Sequence, residues 1–300
     1  MTMIVIERFS KKYSNIFTEN EILLQDRKLS PPKIIKYALE YKELVLVAIE
    51  NKFPIGFIIG VSNQTQRRNS ILTIFVKENS RNKKIGTLLI NTLITQNQFK
   101  QVPYWTIRLR TIDYPIIGFF EHCGFSIVTE LNLYKKLNTE FIVNHNQILS
   151  DIFNIEVAQK KHTTQLMRLE KQCFDNFWFR TKEEWLSIIE NDNSVVYILI
   201  DENLQEEENI VGFSHNSISK SNGYKEGQYI RIAINPAYRR AGLATKLTEK
   251  AFEYFKRNDT KRIYLSTVKE NSQLNEMYQK WGFELYDSDT ILGRKIESKH

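Results

Sequence analysis

The 300-residue chain reads as an α+β protein made twice, each copy a central, mostly antiparallel mixed sheet with helices on both faces. Three observations predict this. Strand-length apolar runs such as Leu44–Ile49 and Val195–Ile200 alternate with amphipathic helical stretches. Gly124-Phe125 recurs 158 residues later as Gly282-Phe283, and the same spacing lays Arg81 under Arg239 and Ile71–Val76 under Tyr229–Ile234 without a gap. A polar, Asn-rich stretch, Asn138–Ser150, separates the copies, so domains over 1–142 and 151–300 are expected.

The first copy is expected to run strand Ile4–Glu7, helices Asn15–Leu24 and Pro32–Leu39, and strands Leu44–Ile49 and Pro54–Val61. Strand, loop and helix over Ile71–Thr95 follow, then strand Trp105–Arg110, helix Pro115–His122 and closing strand Ser126–Tyr134. The second copy opens with strand Phe153–Ala158 and helix Thr163–Gln172, with Leu166 and Leu169 inward. Helix Lys182–Glu190 and strands Val195–Ile200 and Ile210–Ser214 come next, with Asn203–Glu208 and Ser219–Gly227 as hairpin loops.

The chain is organised around Tyr229–Leu247. An apolar strand reaches the turn signal Asn235-Pro236, passes through a basic glycine-containing loop and enters a helix carrying Leu243, Leu247 and Ala251 on one face. The first N–H groups of a helix lack intrahelical partners and point outward, and its dipole favours negative charge there. Gly242 and Ala244 keep side chains away from that end, while Arg239 and Arg240 add positive charge. Such a loop suits a pyrophosphate, yet it is neither G-x-G-x-x-G nor a P-loop. Downstream lie strand Ile263–Val268, Asn271 and the run Tyr278-Gln-Lys-Trp-Gly282-Phe283.

Together these two stretches resemble the signature of the GNAT superfamily of N-acetyltransferases: R/Q-x-x-G-x-G/A after a strand, then an Asn and Y-x-x-x-G-F. The resemblance implies a sheet in which two strands splay apart beyond the loop, with the pantetheine arm of acetyl-CoA or another acyl-CoA in the opening. It places Ile232, Ala233 and Ile234 along that arm, Arg239, Arg240, Ala241, Gly242, Leu243, Ala244 and Thr245 around the phosphates, and Asn271 on the cofactor. Tyr278 matches the general acid, since a phenol near pKa 10 can protonate a departing thiolate.

The family's base carboxylate is missing. Gln228 and Ser266 stand at its positions, which leaves Glu226, Glu270, His215 or a held water to deprotonate the amine. Cys173-Phe-Asp-Asn-Phe-Trp-Phe179 is read either as an acceptor wall with Asp175 facing an amine or as a hydrophobic cap. Cys173 has no matched base, so direct transfer is expected, without a covalent enzyme intermediate. In the first copy Lys84 replaces Gly242, Phe120 replaces Tyr278 and Asp113 replaces Asn271, so 1–142 is expected to be a degenerate, non-catalytic domain.

Composition narrows the alternatives. Hydrophobic residues make up 42% and charged residues 26%, a globular balance. No apolar run reaches membrane-span length, the N-terminus has no secretory pattern, and two distant cysteines form no CxxC, which together point to a cytoplasmic protein. Five scattered histidines indicate no metal site. The net charge of +7 divides as +8 over 1–142 and −1 over the rest, without the aromatic-interleaved basic motif of a nucleic-acid binder. The expected activity is acyl-CoA-dependent N-acyl transfer to a primary amine of a small molecule or peptide. Long-chain acyl transfer to a peptide and a non-catalytic acyl-CoA-binding module are the alternatives.

Overall fold

Alternating apolar positions set the strands and a 3.6-residue period sets the helices, giving twelve strands and seven α-helices among the described residues. The computed structural model describes residues 4–17, 31–40, 42–63, 68–97, 104–141, 152–221 and 223–296. In chain order the first part comprises β1 (Ile4–Arg8), α1 (Pro31–Glu40), β2 (Val45–Glu50), β3 (Phe53–Asn63), β4 (Arg68–Val76), α2 (Ile85–Asn97), β5 (Tyr104–Arg110), α3 (Tyr114–His122) and β6 (Ser126–Lys136). The second comprises β7 (Phe153–Val157), α4 (Thr163–Cys173), α5 (Lys182–Ile189), β8 (Ser194–Asp201), β9 (Ile210–Ser221), β10 (Tyr224–Ile234), α6 (Leu243–Arg257), β11 (Arg262–Val268), α7 (Ser272–Lys280) and β12 (Glu284–Lys295).

Two expectations change. The helix expected over Asn15–Leu24 is a 3-10 segment, Lys11–Phe17, as far as the described residues go; 18–24 lie outside them. Ser219–Gly227 is not a loop, because β9 continues to Ser221 and β10 begins at Tyr224. The alternation of a two-stranded ribbon simply carries on through these polar residues. The separator Asn138–Ser150 is described only to residue 141.

The chain forms two compact units, Met1–Leu131 with Ser288–His300 and Asn132–Asp287. In the first, strands lie in the order β1-β2-β3-β4-β5, and residues Asp289–Lys295 of β12 pair antiparallel with β5. In the second the order is β6-β11-β10-β9-β8-β7. The compact units therefore differ from the copies 1–142 and 151–300: the end of each copy's closing strand belongs to the other copy's unit.

Helix α6 of the second unit buries Leu243, Leu247, Ala251, Phe252 and Phe255, each large side chain contributing about 1.5–3 kcal/mol. Gly227 of β10 permits this approach, because a Cβ there would stand 2.7 Å from the Phe255 ring. The Gly-Phe motif ends α3 and α7 in the same way. Gly124 (φ +81°) and Gly282 (φ +77°) take the left-handed conformation, Phe125 N–H bonds Phe120 O at 3.1 Å, and Phe283 N–H bonds Tyr278 O at 3.0 Å. This is a Schellman cap, closed by contacts between the Phe125 and Phe120 rings and between the Phe283 and Tyr278 rings.

Candidate active site

The site begins where two parallel strands part. β10 pairs with β11 only over Glu226–Gln228 and Arg262–Tyr264, and a bulge at Ile230 follows on the β9 side. Beyond Gln228 the β11-facing edge of β10 is open. Asn235 N–H bonds Val211 O on β9 at 2.8 Å, and main-chain direction alternates along a strand. Arg231 and Ala233 thus turn their main-chain groups to β9, while Ile232 and Ile234 turn theirs into the opening. Of the three residues expected along the cofactor, Ala233 has its main chain on β9.

The loop at the end of β10 is held by its own groups. Asn235 Oδ1 accepts from Ala237 N–H at 3.1 Å, and Arg239 Nε donates to Ile234 O at 3.2 Å, an oxygen that also receives the Cys173 thiol at 3.4 Å. Arg240 (φ +65°) and Gly242 (φ +73°) both take left-handed backbone, and Gly242 is the N-cap of α6 with no side-chain cap bond. Thr245 and Lys246 N–H groups return to Gly242 O, leaving the amides of Leu243 and Ala244 at the helix end without intrahelical partners. The Leu243 side chain is buried, whereas Arg239, Arg240 and Ala241 are exposed. The result is a concave run of amides with positive dipole and charge around it.

Tyr278 lies at the root of the opening. Its ring packs against Tyr229, the residue that follows the last β10–β11 pair, at 6.4 Å, and against Tyr134, Trp281 and Phe283. It is 4% exposed, its hydroxyl has no hydrogen-bond partner among the described residues, and burial raises its pKa above the ordinary tyrosine value. The phenol is thus protonated and its proton uncommitted. Asn271, expected on the cofactor, caps α7: its Oδ1 accepts from Leu274 N–H at 3.1 Å.

Asn275, one turn before Tyr278, went unread in the sequence. It is buried and takes all of its bonds internally. Its Oδ1 accepts from Asn132 Nδ2 and Tyr134 OH, each at 2.8 Å, and its Nδ2 donates to the carbonyls of Val268, Lys269 and Asn271. The residue 158 positions earlier is Ile117, and that difference between the copies was the available signal.

The base candidates fare unequally. Burial, with Arg180 and Arg231 nearby, pushes His215 down to about 2, so it is a neutral ring whose Nε2 pairs with Ser194 Oγ at 3.0 Å. Glu226 lies in the paired part of β10 and accepts from Tyr264 OH at 3.4 Å. Glu270 and Ser266 are exposed, and Gln228 Nε2 is buried without a partner among the described residues. Asp175 is exposed and accepts from Phe177 N–H at 3.0 Å, which makes it a turn residue within the 173–179 segment.

The first unit repeats the geometry. β4 pairs with β5 from Arg68↔Tyr104 to Ile71↔Ile107 and then parts from it after a bulge at Leu72, 158 residues before Ile230. Arg81 Nε donates to Val76 O at 3.1 Å, as Arg239 does to Ile234 O, and Asn82 and Lys84 hold left-handed backbone like Arg240 and Gly242. Phe120 is buried where Tyr278 stands, without a hydroxyl.

A mixed sheet whose parallel strands part beside a left-handed loop occurs twice, the architecture of a tandem acyltransferase. The chain is a tandem member of the GNAT acetyltransferase family: the acetyltransferase (GNAT) family profile matches residues 163–283, and an acetyltransferase (GNAT) domain profile matches residues 41–127. Among solved structures, it resembles a GCN5-related N-acetyltransferase from Sphaerobacter thermophilus (TM-score 0.71, 11% identity, 99% of this chain and 98% of that one). It also resembles a tandem GNAT protein from the clavulanic acid biosynthesis pathway (TM-score 0.68, 10% identity, 99% and 100%). A third likeness is to a glucosamine N-acetyltransferase region of a fungal multi-domain β-N-acetylglucosaminidase (TM-score 0.72, 11% identity, 98% of this chain and 38% of that one). At these identities the likeness is one of fold. No curated protein sequence matches the chain. The family moves acyl groups from acyl-CoA donors to amine acceptors. Among the described residues no helix is long and apolar enough to cross a membrane, and none of the His, Cys, Asp and Glu form a group of three that could hold a metal.

Proposed function

We propose that the chain is an acyl-CoA-dependent N-acyltransferase, active in the second copy, with acetyl as the simplest donor group and a primary amine of a small molecule or peptide as acceptor. The observation that carries this reading is the combination of the β10 opening, the amide-lined loop at its end and the unpartnered Tyr278 phenol at its root. CoA phosphates sit on the Leu243 and Ala244 amides, and the pantetheine arm pairs with the main chain of Ile232 and Ile234. The neutral amine attacks the thioester carbonyl, the C–S bond of the tetrahedral intermediate breaks, and the thiolate takes the Tyr278 proton. The proton lost by the amine passes to solvent through held water, since His215 is too weak a base and Gln228 is none. Solvent returns a proton to Tyr278, and the products are an amide and free CoA.

The first copy is a non-catalytic domain in this reading, since Phe120 has no proton to give. The same shortage of a base supports the second reading, an acyl-CoA-binding module. Continuous thiol-release assays with acetyl-CoA and longer acyl-CoAs against a broad amine panel decide between them. Turnover that depends on the amine establishes the transferase, and tight acyl-CoA binding without turnover establishes the module. Mass spectrometry of acyl-CoA copurifying with the protein reports the acyl chain.

A further inference from the structure

Strand β10 carries one charged side chain at its bulge. Arg231, just past Ile230, faces α4, where Glu170 is 0% exposed. Glu170 Oε1 pairs with Arg231 Nη1, and its Oε2 accepts from Arg180 N–H at 2.9 Å and Trp185 Nε1 at 3.2 Å. The Arg180 guanidinium, in a residue 8% exposed, lies 3.9 Å from Oε1, too far for a hydrogen bond, and its buried Nη1 has no partner among the described residues. Glu184, the other carboxylate acting on Arg180, caps α5 by accepting from Thr181 N–H. His215, opposite Arg231 on β9, is neutral. Two carboxylates, Glu170 and Glu184, thus act on Arg180, yet its Nη1 and, on β10, Gln228 Nε2 are buried donors without an acceptor among the described residues. A buried donor left without an acceptor carries the full cost of its desolvation. The group lacks an oxygen acceptor.

Its position says which. Arg231 adjoins Ile232, whose main chain opens on the thioester channel, and its Nη1 already holds a planar oxygen acceptor, the Trp178 carbonyl, at 2.8 Å. The face of Phe174 lies under the guanidinium at 4.7 Å and that of Trp185 under Arg180 at 4.9 Å, leaving the in-plane N–H groups to bond oxygen. We propose that Arg231 and Arg180 are the acceptor-specificity residues and that they bind the carboxylate of an amino acid whose amine is acylated. The carboxylate replaces the Trp178 carbonyl on Arg231 and supplies the acceptor that Arg180 Nη1 lacks. The 174–179 segment gives way to admit it. This inference rests on the N-acyltransferase reading.

The test compares the twenty L-amino acids with their carboxamides as acceptors for acetyl-CoA, using the full chain and thiol release. Losing one charged partner of a guanidinium costs about 2 kcal/mol or more, so at least one acid should exceed its own amide by about 30-fold or more in kcat/KM. Arg231→Met should shrink that ratio to about threefold or less, and Arg231→Lys, which keeps the charge but loses the fork, should fall between. Amides reacting as well as acids would overturn the inference and leave the transferase standing. If no amine releases thiol, calorimetric titration of the same acids and amides onto the protein still decides. Binding of an acid but not its amide, lost in Arg231→Met, upholds the subsite, and no preference for the acid sinks it.

Discussion

Lys84 and Gly242, 158 residues apart, hold the same left-handed backbone, φ +60° and +73°. The loop that ends the opened strand has kept its conformation in the copy that has lost the glycine. Left-handed geometry costs an L-residue about 1–2 kcal/mol, whereas glycine adopts it freely but loses more chain entropy on folding. Lys84→Gly should therefore stabilise the protein by up to about 1 kcal/mol, read as a higher urea midpoint at unchanged m-value. Gly242→Lys should fold, since the equivalent loop accepts lysine, but should weaken CoA binding in a direct titration. Unfolding of Gly242→Lys, or unchanged CoA affinity, would count against the loop assignment.

Tyr278→Phe keeps the ring contacts and removes the proton. We expect kcat to fall by about 10²–10⁴ with CoA affinity nearly unchanged. Because burial raises the phenol pKa, the acid stays protonated through pH 10, so the wild-type rate shows no alkaline fall from this group below that pH. The raised value also means stability that is present below pH 10 and lost as pH rises through the folded pKa. Alkaline unfolding of the variant should accordingly be shallower.

Asn275 satisfies five groups at once around the start of α7. Asn275→Ala takes the acceptor from Asn132 and Tyr134 and a side-chain donor from three carbonyls, of which Val268 O and Asn271 O keep a backbone N–H, at a cost of about 2–3 kcal/mol. Tyr134 and Tyr278 pack together, so kcat should drop more than KM rises. A chemical-denaturation curve and steady-state kinetics on the same variant check both.

Removing the Glu170 charge takes the shared carboxylate from the buried Arg180 and the partly buried Arg231. Glu170→Gln should destabilise the protein by about 3–5 kcal/mol, seen as a lower urea midpoint. A change within 0.5 kcal/mol would mean that the pair carries no structural weight.

His215 is neutral when folded, its pKa pushed down to about 2, and titrates near 6.5 when unfolded. Its contribution is present above pH 6.5 and lost as pH falls, at about 1.4 kcal/mol per pH unit. Between pH 6.5 and 4 the protein should therefore lose about 3 kcal/mol from this residue alone. The stability–pH profile of His215→Gln should lack that slope.

Much of the fold was legible because it is local. The 158-residue repeat aligned the strands, loops and caps of both copies, and periodicity located nearly every element to within a few residues. Where the pattern was polar it misled: β9 runs on to Ser221 and β10 starts at Tyr224, since a paired ribbon needs no apolar face near its tip. Of the candidate site, Gly242 and Tyr278 were readable because a left-handed cap and a helix-terminal motif leave local signatures. Asn275 was not, because its partners lie on β6, on β11 and in the turn before α7.

The order of amino acids by itself determined that there are two copies, that each carries a strand, a basic loop and a helix, and that only the second retains glycine and a phenol at the key positions. Only the tertiary structure decided which sheet each closing strand completes, which way Ala233 turns its main chain, and that Glu170 lies between two arginines. Those outcomes depend on pairing and burial between residues far apart in sequence, where no local propensity distinguishes one partner from another.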